Sequence, residues 1–148
     1  MSICVYSRAK SGEDKLSPNF RVREFACKDG SDPVFVDEEL VELLEAIRSH
    51  FQKPLHINSA FRTPSYNARE DVGGSPRSQH LYAKAADIWL PGVSPLAVAQ
   101  YVEYLRPSSG GIGVYRSFTH VDVRPARSRW DSRSGKQVVV SGWPGFTR

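Results

Sequence analysis

The sequence predicts an α+β domain, with a small, mainly antiparallel sheet and helices packed on one face. Three observations carry that prediction. Apolar residues recur at helical spacing in two stretches, each opened by a capping residue. Several short apolar or alternating runs sit between Pro, Gly and Ser turn signals. Two of those runs are separated only by Arg116-Ser117, which suits a hairpin of antiparallel strands.

Residues 1–16 are polar and read as a loosely held segment, leaving 17–148 as a single domain anchored by Phe20, Val22 and Phe25. Asp37 is an N-cap candidate. Glu38 and Glu39 complement the first turn, and Leu40, Leu43, Leu44 and Ile47 give the helix its apolar face. Residues 55–60 read as a strand leading to Arg62, with Pro64 as a breaker and 66–71 as a short helix or turn ended by Gly73-Gly74. The loop 75–79 borders a cleft by composition. A strand follows at 85–90, stopped by Pro91-Gly92. Ser94-Pro95 then opens a second helix bearing Leu96, Ala99, Val102, Tyr104 and Leu105, which 107–111 terminates. Residues 112–115 and 118–123 form the paired strands, and 137–141 are one further strand candidate.

At 148 residues and 40% hydrophobic content, the chain fits one compact core. A net charge of +4 favours anionic polymers, yet no nucleic-acid motif is present, and a solvated loop explains the cluster Arg124, Arg127, Arg129 and Arg133 as well as a binding patch does. No run approaches the ~20 apolar residues of a membrane span. Met1 to Tyr6 is followed by polar sequence, so no secretory signal is read. Cys4 and Cys27 are expected as free thiols, with no finger-type ligand spacing.

Chemistry concentrates in two segments. The first runs from Ser78 to Asp87 and contains His80; the second runs from Thr119 to Arg124 and contains His120 and Asp122. Two imidazoles and a carboxylate are a zinc donor set that leaves a fourth position open. His80, Asp87 and His120 are the candidate ligands, and Asp122 a candidate proton acceptor. Alternation along 118–123 sends His120, Asp122 and Arg124 to one face and Val121 and Val123 to the other. Ordinary hydrogen-bonded histidines remain the competing reading of this spacing, and are the reading of His50 and His56. Tyr115 and Trp89 are candidates to line the cleft, with core packing the preferred role for Trp89.

Ser78-x-His80-x-x-Ala83-x-Ala85-x-Asp87 resembles the SxHxxGxAxD signature of M15-type zinc D-Ala-D-Ala carboxypeptidases and their endopeptidase relatives, which share a fold with hedgehog signalling domains. The strand His120 to Arg124 is similar to that of a small, often phage-encoded branch, and 58–64, 19–27 and 110–115 extend the likeness from about Ser17 to Trp130. The resemblance implies a hedgehog/DD-peptidase-like fold, Zn²⁺ on His80, Asp87 and His120, and Arg62 meeting a substrate carboxylate or carbonyl. Ser78 and Gln79 are candidate substrate contacts that also shape the turn holding His80.

Two departures stand out. Ala83 replaces the usual glycine, and Ser117 occupies the position where several relatives carry an acidic base. Asp122 is then the remaining candidate base; in a second register Asp122 ligates and His120 assists. The implied function is hydrolysis of a peptide bond in peptidoglycan stem peptides or cross-links, endolysin-like, by a monomer without nucleic-acid or membrane partners. It would be made in the cytoplasm and reach the wall through another factor or a phage particle. D,D-carboxypeptidase trimming, and an inactive zinc-stabilised wall-binding module, are the alternatives.

Overall fold

The computed structural model describes residues 3–147; residues 1, 2 and 148 of the two spans read from the sequence lie outside them. The centre of the fold is a six-stranded sheet of order β10-β9-β7-β8-β6-β5. Its strands are β5 (His56–Ser59), β6 (Ala85–Trp89), β7 (Gly110–Val114), β8 (Thr119–Asp122), β9 (Arg127–Asp131) and β10 (Val138–Val139). Every pairing is antiparallel except β7 with β9, which is parallel.

One face of this sheet is apolar. Ala86 and Ile88 of β6, Ile112 and Val114 of β7 and Val121 of β8 are buried in a cluster with helices α2 (Glu38–Phe51) and α4 (Pro95–Leu105). Each large aliphatic side chain sealed there contributes about 1.5–3 kcal/mol. Leu40, Val41, Leu43, Leu44 and Ile47 are the buried side of α2. In α4 the buried residues are Val98, Ala99 and Val102, while Tyr104 and Leu105, read as part of its apolar side, are exposed. Both helices start on side-chain caps: Asp37 accepts from Glu39 N at 2.9 Å and Ser94 from Ala97 N at 3.1 Å.

The other face carries polar, small and aromatic residues. One row crosses five strands by direct register: Ser59, Asp87, His120, Gly113 and Trp130. The two segments singled out by their chemistry are therefore neighbouring strands in the middle of the sheet.

The N-terminal part departs from its polar appearance. Residues 3–16, read as loosely held, carry β1 (Ile3–Ser7), paired along its full length with β4 (Pro33–Asp37), and the short helix α1 (Arg8–Ser11). Strands β2 (Lys15–Ser17) and β3 (Phe20–Arg21) lead into a 3₁₀ turn at Val22–Phe25, whose Phe25 meets Phe20 edge to face. Pro64 starts α3 (Pro64–Asn67) instead of breaking the chain. A proline at the first helical position loses no bond, and Thr63 caps Tyr66 N at 3.3 Å.

The arginine-rich tail is also more ordered than a solvated loop. Arg129 of β9 is 3% exposed, because Glu103 takes its Nε at 2.8 Å and the carbonyls of Arg106 and Gly110 take its terminal nitrogens. Only Val138 and Val139 of the 137–141 candidate form a strand. Cys4 and Cys27 are free. Among the described residues no helix is long and apolar enough to cross a membrane.

Candidate metal centre

Asp87 and His120 are cross-strand partners on the polar face, and His80 reaches them from the 3₁₀ turn Gln79–Tyr82 that precedes β6. Ser78 caps that turn, its Oγ accepting from His80 N at 3.2 Å. Ala83 ends it in the left-handed region at φ 61°, its N–H donating to the carbonyls of Gln79 and His80. The reversal turns the chain into β6 within a few residues, so His80 and Asp87 converge although one is on a turn and the other on a strand. The nitrogen and oxygen atoms that His80, Asp87 and His120 could offer a metal all lie within 4.8 Å of one another, and all three residues are buried.

The hydrogen bonds assign the ring nitrogens. His80 Nδ1 lies 2.7 Å from the Ala60 carbonyl, which only accepts, so the proton is on Nδ1. Burial lowers the pKa of His80, despite the opposing pull of Asp87, and so favours the neutral ring. Its Nε2 is then an acceptor facing another acceptor, Asp87 Oδ2, at 3.3 Å. A cation between them satisfies both. That fit rests on the chemistry of the donor set: imidazole, imidazole and carboxylate, as in three-ligand zinc sites.

His120 is gripped from both sides, its Nδ1 3.0 Å from Asp87 Oδ1 and its Nε2 2.7 Å from Asp122 Oδ2. Burial works against its protonation. The hydrogen bonds to Asp122 and Asp87 prevail and raise its pKa to about 9. Asp87 is pushed up by burial but held well below the usual carboxylate range by His120 and His80.

Asp122 sits beneath His120, away from solvent. Its Oδ1 accepts from Gly111 N at 2.7 Å and from Arg124 Nε at 2.8 Å and backbone N at 3.2 Å, and its Oδ2 from an Arg124 terminal nitrogen at 2.6 Å. Burial raises its pKa less than His120 and Arg124 lower it. Gly111 is required here, since a Cβ at that position would overlap the Asp122 carboxylate.

Arg62 lines the same cleft. Its Nε donates to Ser59 Oγ at 3.0 Å, and its terminal nitrogens reach Asn67 Oδ1 at 3.2 Å and Asp87 Oδ2 at 3.4 Å. The cleft has a volume of about 500 Å³, and Ser78, Gln79, Tyr115 and Trp130 are also on its walls. Tyr115 stacks on Phe118 and its hydroxyl accepts from Trp130 Nε1 at 3.1 Å.

Trp89 is neither in the core nor on the cleft; it is exposed at the end of β6, stacked on His56 of the neighbouring edge strand β5 at 4.3 Å. His50 stacks on Tyr101 at 3.9 Å, apart from the centre. The structure thus brings together His80, Asp87, His120, Asp122 and Arg62. It adds Asn67, Trp130 and Arg124, of which only Arg124 had a sequence signal, the strand alternation.

The family model described as Peptidase M15 matches residues 18–122, well over half of the chain. The chain is also similar to the probable peptidoglycan L,D-endopeptidase MepK of Haemophilus influenzae, 34% identical over 79 residues. That match covers 50% of this chain and 41% of the relative, so the chain spans about two fifths of that relative's length.

Proposed function

We propose that this chain, which belongs to the M15 peptidase family, is a zinc-dependent hydrolase of a peptide bond in peptidoglycan stem peptides or cross-links. The observation that carries the reading is the convergence of His80, Asp87 and His120 at one cleft. In this reading His80 ligates through Nε2 and His120 through Nδ1, since Ala60 and Asp122 hold the opposite nitrogens. Bound zinc would polarise the scissile carbonyl and lower the pKa of attacking water to about 7, which relaxes the demand for a strong protein base.

The chain's own residues would then orient and bind. Asp122, without access to the cleft, acts in this reading as a positioning residue: it keeps a proton on His120 Nε2 and turns Nδ1 toward the metal. Arg62 braces Asp87 and still has N–H groups to offer a substrate carbonyl or carboxylate. Gln79 contributes from the cleft wall, and Ser78 holds the turn beneath it. The name of the Haemophilus relative favours cutting within the peptide over trimming its end. An endolysin-like role, with delivery by another factor, is part of the same proposal.

One observation favours a second reading, a zinc-stabilised wall-binding module. Among the described residues, Asp87 is the only carboxylate lining the cleft. Mass spectrometry of fragments released from purified peptidoglycan, with zinc-loaded and chelator-stripped protein side by side, separates the two. New peptide termini that disappear on stripping are expected and would name the bond; an intact wall with zinc still bound would favour the module.

A further inference from the structure

Three arginines line the cleft, and two are already matched. Arg124 is neutralised by Asp122, and Arg62 is bonded to Ser59, Asn67 and Asp87. Arg77 is different. Among the described residues its guanidinium has no hydrogen bond or ion pair, and the cleft's one carboxylate, Asp87, is taken by His80, His120 and Arg62. The loop that presents Arg77 is nevertheless built. Buried Asn67 donates to the Ser75 carbonyl at 2.8 Å, Ser78 N donates to the same carbonyl at 3.0 Å, and Arg77 N reaches Ser75 Oγ at 3.2 Å. The cleft therefore carries one surplus, fork-shaped cation on a loop tied to the residue that holds Arg62.

We infer that Arg77 binds a carboxylate of the substrate away from the scissile bond, so that the cleft selects stem peptides whose carboxylates are free over those in which they are amidated. The inference rests on the peptidoglycan-peptidase reading and deepens it. A guanidinium pairs with a carboxylate through two parallel N–H bonds, and a carboxamide of the same shape offers one acceptor and two donors, so half of the fork is refused. Selectivity at a partly exposed rim is set by a pair worth up to a few-fold in affinity. Because such a contact exists before and during the reaction, it is read mainly in KM, with kcat little changed.

The test uses two muropeptide preparations identical except that the stem carboxylates are free in one and amidated in the other. Zinc-loaded wild type, Arg77→Gln, Arg77→Lys and Lys53→Gln are compared for cleavage and, by calorimetric titration, for binding. Lys53 lies outside the cleft and controls for overall charge. We expect wild type and Lys53→Gln to prefer the free acid about fivefold in kcat/KM, carried by KM. Arg77→Gln should lose the preference and Arg77→Lys keep part of it. An equal preference in wild type and Arg77→Gln, or none in wild type, overturns the role of Arg77. If wild type cleaves neither preparation, the peptidase reading fails, and the binding titration still decides on Arg77 by the same comparison.

Discussion

Asp122 accepts five hydrogen bonds on two oxygens, and its side chain is 0% exposed. The strand alternation announces which face it is on; it says nothing about depth, and depth separates a proton acceptor in a cleft from a brace behind a ligand. Asp122→Asn keeps the shape but removes the charge that steers His120. We expect zinc affinity to fall about 10–100-fold, measured by competition with a chromophoric chelator. Full zinc occupancy with lost turnover would instead favour a direct role in proton transfer. His120 gives a pH signature in the metal-free protein. Its folded pKa, about 9, is above the ordinary 6.5, so its stabilising contribution is complete below about pH 6.5 and is lost as pH rises through about 9. Melting temperatures of chelator-treated protein should therefore fall across that window, and zinc-loaded protein should lack this component if His120 binds the metal, since a ligating imidazole is neutral. Ala83 is a third case. Its φ of 61° costs an L-residue about 1–2 kcal/mol, whereas Ala83→Gly forfeits a buried methyl of ~0.8 kcal/mol and adds unfolded-state freedom of about 0.4–1 kcal/mol. These nearly cancel. We expect Ala83→Gly to shift stability by less than about 1 kcal/mol in urea unfolding, which accounts for alanine where relatives use glycine.

At the scale of elements, legibility follows periodicity. Helices α2 and α4 and the β7–β8 hairpin are readable because their apolar spacing is regular and their ends are capped or broken. Strand β9 is hidden because Arg129 occupies a core-facing position that sequence patterning assigns to an apolar residue; Glu103 and a ring of carbonyls make it acceptable there. Strand β1 is hidden for the opposite reason, since its exposed Ile3 and Val5 follow no inward pattern and its order comes from pairing with β4. The glycines of β7 are legible only as a cluster. Their reason is lateral: Gly111 makes room for the Asp122 carboxylate and Gly113 for the Trp130 ring. Gly111→Ala must push Asp122 aside, and overpacking of this kind costs about 1–3 kcal/mol. We expect a loss of zinc affinity like that of Asp122→Asn, with a lower melting temperature, read by the same competition assay and by calorimetry.

For the whole molecule, the sheet divides labour between its faces. The helix-covered side supplies the burial that holds the chain together, and the polar side uses that rigidity to hold three candidate ligands, from two strands and a turn, at one place. Zinc that binds only the folded chain should stabilise it by about 2.7 kcal/mol at a free concentration 100 times its Kd, raising the melting temperature by roughly 5–10 °C. An unchanged melting temperature would count against His80, Asp87 and His120 as a zinc site. The direct pairing of Asp87 with His120 has a further consequence. Side chains change face with every step along a strand, so sliding β8 by one residue against β6 would bring Val121 into the cleft and drive His120 into the oil of the core. No graded loss of function lies between those two alignments. The same hydrogen-bond ladder that makes the sheet also decides which side chains meet in the cleft, and an insertion or deletion within β6 or β8 would be read by the protein as a change of frame.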